Sequence, residues 1–143
     1  DNSFGVGFNS DIPTFYVLPA MGPATTGSVG IGTNQTHGYK LAVNGGILAE
    51  KVRVRLYTLW PDFVFEKNHE RLTLSELEKF VNEKRHLPGI PSAKEIAKDG
   101  YDVQTMDALL LQKVEEMTLY IIEIKKENEQ LRDLINHVQT LKQ

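Results

Sequence analysis

The 143-residue sequence predicts an α+β chain in three parts. A glycine-rich β-stalk segment covers 1–58, a small α+β unit covers 59–101, and a long helix over 102–143 enters a parallel coiled coil. Three observations predict it. Residues 1–46 hold nine of the eleven glycines and only three of the 35 charged residues, Asp1, Asp11 and Lys40. Two Ser/Thr-x-x-Glu capping boxes, at Thr73 with Glu76 and at Ser92 with Glu95, open helices in the middle of the chain. Beyond Asp102 neither glycine nor proline interrupts an apolar pattern of seven-residue period. A single core does not accommodate so sharp a change of composition.

In the first part the apolar period is two, the signature of strands. Phe4, Val6 and Phe8 alternate with Gly5 and Gly7, and Val29 and Ile31 with Gly30 and Gly32. Glycine inside a strand costs entropy and packs nothing, so its use implies close backbone approach, as where several chains wind about one axis. Pro13, Pro19 and Pro23 keep any strands among the first 25 residues short or at edges. Asn44-Gly45 between Tyr39–Val43 and Ile47-Leu48 is a hairpin signal. Val52, Val54 and Leu56 then alternate with Lys51, Arg53 and Arg55, a strand with one apolar and one cationic face. A segment so poor in large aliphatic residues is either disordered or ordered by partner chains, and its β-alternation favours the second.

In the middle part, Trp60–Phe65 reads as a turn entering a short strand with Phe63 and Phe65 on one face. The helix opened by Thr73 places Leu74, Leu77, Phe80 and Val81 on one stripe and stops near His86, ahead of Pro88. His86–Pro91 is a rigid loop, and the helix opened by Ser92 ends at Gly100, the place for a left-handed residue. In the last part, Asp102 or Thr105 caps a helix running to Gln143, roughly 60 Å long at 1.5 Å per residue. With Val114 at position a, the a residues are Val114, Ile121, Asn128 and Ile135. The d residues are Leu110, Met117, Ile124, Leu131 and Val138. Leu111, Leu119, Tyr120 and Ile122 lie off this seam, so the first half of the helix is expected to meet its own middle unit as well as partner helices. After Lys125 the flanks are polar and only the seam remains to be buried. Glu127 at g and Arg132 at the next e are placed for an interchain pair in a parallel assembly. The a and d residues divide evenly between two and three strands.

Composition limits function. The net charge is −3 and the pI about 5.8, so no global basic field points to nucleic acid or an anionic membrane. No run of about 18 apolar residues provides a membrane span. The absence of cysteine removes disulfides, thiolate metal ligands and a cysteine nucleophile. The first residue is Asp1, and the chain reads as a fragment or a processed product. Ser75 with Lys79, one turn apart, has the spacing of a serine–lysine dyad, but a serine in a first helical turn and a solvated lysine account for both. His69 and His86, with Asp62 and Glu66, lack the short spacing of a metal site. The Gly-x-Gly pairs lack the lysine and following helix of a phosphate-binding loop. Asn34-Gln35-Thr36 matches the three-residue glycosylation pattern. No catalytic, cofactor-binding or metal-ligating residue is expected.

Gly27–Thr33 and Tyr39–Gly45 resemble the stalk repeat of trimeric bacterial and phage fibre proteins. The stretches Trp60–Glu66, His86–Ala93, and Leu109–Leu111 through Thr118–Ile122 resemble a C-terminal domain that follows such stalks. The layout is similar, more distantly, to the intramolecular chaperone domain of tail spikes and endosialidases. This resemblance implies a homotrimer, breaking the tie between two strands and three, whose C-terminal domain drives registration of the β-stalk. It implies a fibre at a cell surface or on a virion, outside the cell, with a host receptor as a further partner of the parent fibre. Many such domains cleave themselves at a Ser-Asp junction with a nearby lysine; here the corresponding stretch, Leu48–Arg53, has neither serine nor aspartate. The expected function is a non-enzymatic trimerisation and registration module. The alternatives are a self-processing domain or a receptor-binding tip.

Overall fold

The computed structural model describes residues 3–7, 11–12, 14–20, 26–55 and 60–141. Phe8, Pro13, Pro23 and Leu56 lie outside them. The fold is α+β, with a four-stranded sheet and, among the described residues, three α-helices, of which the C-terminal one is long. It divides into two compact units, Asp1–Arg53 and Val54–Gln143.

The first unit holds β1 (Phe4–Val6), β2 (Phe15–Leu18), β3 (Ser28–Ile31) and β4 (Leu41–Val43) in spatial order β1-β2-β3-β4. β1/β2 and β2/β3 are antiparallel, and β3/β4 is parallel. Register decides what each face carries. Phe4 lies beside Val17, Val17 beside Val29 and Val29 beside Leu41; the next row on that face is Val6, Phe15, Ile31 and Val43. The row between them, Gly5, Tyr16, Gly30 and Ala42, belongs to the other face. One face is therefore wholly apolar, and the glycines lie behind it. Gly30 is buried, and a Cβ there would come within 2.0 Å of the Thr33 carbonyl oxygen. The need for glycine at 30 thus arises within a single chain, whereas the sequence alone pointed to crowding between chains.

Two expectations for this unit fail. Asn44 opens no hairpin: its N–H donates to the Ile31 carbonyl at 2.9 Å and its side-chain amide donates to the Gly32 carbonyl at 3.3 Å. These bonds hold Asn44 to the end of β3. Residues 51–55 form no strand despite their alternation, because no ladder partner for them exists among the described residues, and Val52 and Val54 stay exposed.

The second unit is helical among the described residues, so the strand expected in the middle of the chain is absent. Pro61–Phe65 is a 3₁₀ helix. Pro61 occupies a first-turn position, where its missing N–H costs nothing, and the Glu66 N–H donates to the Phe63 carbonyl at 3.0 Å. This winding separates Phe63 from Phe65, leaves Phe65 exposed, and turns Val64 inward until it is 1% exposed. α1 (Leu74–Lys84) and α2 (Ala93–Asp99) both begin with the expected reciprocal capping boxes. Arg85, at φ 61°, ends α1. Pro88-Gly89 makes a tight turn, with Gly89 at φ +78° and the Ile90 N–H on the Leu87 carbonyl at 3.1 Å, the arrangement that proline followed by glycine favours. Gly100 takes φ 70° and ψ −165°, a positive φ outside the left-handed helical region expected of it. Asp102 caps α3 (Val103–Thr140), accepting from the Thr105 N–H at 2.7 Å.

Candidate oligomerisation surface

Of the 38 residues of α3, those up to Glu123 are held by their own chain along one side, and every residue from Ile121 to Leu141 is exposed. The 3₁₀ helix packs most closely against α3, and segment 69–72 continues along it. Tyr120, buried at a g position, donates its hydroxyl to the Leu72 carbonyl, and the Arg71 guanidinium sits over its ring at 4.8 Å. Arg71 also pairs with Glu123, which raises the arginine pKa and lowers that of the carboxylate. His69 stacks at a tilt on Phe63, with ring centroids 5.6 Å apart, and its Nε2 lies 3.5 Å from Glu116. Burial opposes ionisation of Glu116. Hydrogen bonds from Lys113 and Gln112, with the charges of Lys113 and His69, outweigh it and hold the carboxyl below its ordinary pKa. Glu115 is different: it is buried, its Oε2 has no hydrogen-bond partner, and desolvation together with the nearby Asp62 raises its pKa.

The other side of α3 is bare. The eight apolar seam residues, Leu110, Val114, Met117, Ile121, Ile124, Leu131, Ile135 and Val138, are between 43% and 59% exposed. Asn128 is also exposed, with its amide donating to its own helix at the Ile124 carbonyl, 2.7 Å away. Glu127 and Arg132 are exposed, and neither is in an ion pair among the described residues. Structure thus places all the seam positions on one unpartnered stripe. Beside its first half runs an open groove of about 650 Å³, whose far wall is Leu74 and Leu77 of α1 with Leu87 and Pro88.

Only Val64 and Tyr120 are buried hydrophobic residues among those described.

No family model, curated protein or solved structure matches the chain. Evidence for function therefore comes from the chemistry of its own surfaces.

The remaining candidates are dispersed. Ser75 and Lys79 are both exposed on α1. His69 faces Glu116, whereas His86 stacks edge-on against Phe80 at 5.6 Å. No cluster able to hold a metal ion occurs among the described residues. Thr36 of the glycosylation pattern is buried against Ser28, their hydroxyls 3.2 Å apart, and Asn34 is exposed. No helix among the described residues is long and apolar enough to cross a membrane.

Sequence reasoning missed two parts of the surface. Leu134 and Leu141, both exposed, occupy g positions and widen the stripe after Lys125, where polar flanks were expected. Their seven-residue spacing was the available signal. The groove wall was also missed. Leu74 and Leu77 were visible as an apolar stripe, but the pattern did not reveal that the stripe stays half open instead of closing on its own helix.

Proposed function

We propose that the chain is a non-enzymatic trimerisation and registration module of a fibre-type or adhesin-like surface protein, working outside the cell or on a virion tail. The observation that carries this reading is the exposed seam. Eight apolar side chains with one asparagine repeat at a/d spacing over about four heptads, and α3 has no domain of its own to cover them. A period of 3.5 residues is satisfied by another helix lying alongside. Asn128 at an a position fixes register, and Glu127 with Arg132 favours parallel chains. Three strands are favoured over two by the added width at Leu134 and Leu141 and by the resemblance to trimeric fibre proteins.

The sheet supports the same reading. Its eight-residue apolar face carries Phe4, Val6, Phe15, Ile31 and Leu41 in exposed positions. Three such faces turned toward one axis would bury what one chain cannot. Assembly through α3 makes that second association effectively intramolecular, which offsets the entropy of ordering short strands. Deleting residues 125–143 tests the division of labour. Light scattering should then show a polydisperse or largely dissociated product, and an unchanged monodisperse trimer would refute the registration role.

A further inference from the structure

The groove beside α3 is asymmetric, and the asymmetry says what occupies it. From α3 it is lined by d residues Leu110, Met117 and Ile124, by a residues Val114 and Ile121, by g residues Lys113 and Tyr120, and by Glu116 at c. No e or b residue contributes. The opposite wall, Leu74, Leu77, Leu87 and Pro88, is apolar, and Leu74 and Leu87 remain exposed across the opening. The groove floor is thus the g-side half of the seam, and the exposed stripe continues out of it to Val138 without a break.

We infer that the occupant is α3 of a second copy of this chain, gripped between the seam and the wall formed by α1 and the Pro88 turn. This rests on the proposed parallel assembly. In parallel coils the g side of one helix meets the e side of the next. The helix entering the groove therefore turns its a and d residues toward the shared axis and its e side, with the b positions beyond, toward the wall. On that side this chain carries Leu111 at e and Ile122 at b, the latter 43% exposed. A b position faces water in a plain coiled coil, so a bare isoleucine there is unexplained by the seam alone. The wall of the neighbouring chain covers it. Each chain thus clamps one neighbour while its own helix is clamped by the other, a head-to-tail contact that closes under threefold rotation.

Two measurements test the clamp. Ile122→Lys should raise the concentration at half-assembly on the order of tenfold, since one partly buried isoleucine is lost per chain; sedimentation equilibrium reads this, and helical circular dichroism checks the fold. In the second, a photoreactive benzoylphenylalanine replaces Leu87 in a mixture of isotope-labelled and unlabelled chains. It should cross-link labelled to unlabelled chains within residues 111–122. Wild-type assembly of Ile122→Lys, or cross-links confined to single chains while the protein remains oligomeric, would overturn the clamp and leave the seam standing. A monomeric wild-type chain would overturn both.

Discussion

Replacing Ile121 by alanine perturbs the centre of the seam without altering helix propensity unfavourably. Ile121 is 59% exposed in the single chain, so that fraction of its side chain is what assembly can still bury. The substitution removes three carbons, about 2.4 kcal/mol when fully buried at ~0.8 kcal/mol each. Scaled by the exposed fraction, about 1.4 kcal/mol is lost per chain and about 4 kcal/mol per trimer. That is roughly a thousandfold in the trimerisation constant at 1.4 kcal/mol per factor of ten. Because the constant scales with the square of concentration, half-assembly moves up about thirtyfold. Sedimentation equilibrium over a dilution series measures it, with Asp133→Ala, an exposed f-position change, as the unaffected control. An Ile121→Ala chain that assembles at the wild-type concentration would refute the argument that this stripe is the interface.

Three further outcomes follow from local geometry. Thr73→Ala removes the hydroxyl that caps α1 and should cost about 1 kcal/mol, read as a lower thermal midpoint. Gly30→Ala forces a Cβ onto the Thr33 carbonyl and should remove the β-sheet signal from circular dichroism while leaving the helical signal intact. Glu115 binds its proton more tightly in the folded chain than unfolded, through burial and then Asp62. Its favourable contribution is present below the ordinary glutamate pKa and is lost as pH rises through the raised folded value. Glu115→Gln should therefore be more stable than wild type at pH 7, with the advantage shrinking below about pH 4; an advantage independent of pH contradicts this.

The elements that could be read in advance are those set by near neighbours in sequence. The capping boxes at Thr73 and Ser92 each involve residues three apart and are formed as expected, and the long unbroken helix after Asp102 is likewise a property of its own sequence. What misled depended on partners distant in sequence. Asn44-Gly45 has the composition of a hairpin, but Asn44 is held by Ile31 and Gly32, and no strand returns among the described residues. Trp60–Phe65 has strand-like alternation, yet it winds into a 3₁₀ helix that begins at Pro61, buries Val64 and lies against α3. The Glu115 carboxyl and the groove wall at Leu87 were invisible for the same reason. Their character comes from elements brought alongside by the fold, and no short-range pattern records it.

The central claim, that this chain is one third of its folded unit, is tested most directly by its mass in solution at micromolar concentration. Multi-angle light scattering should give about 48 kDa, three times the 16.1 kDa of the chain. A monodisperse species at the monomer mass would contradict the account.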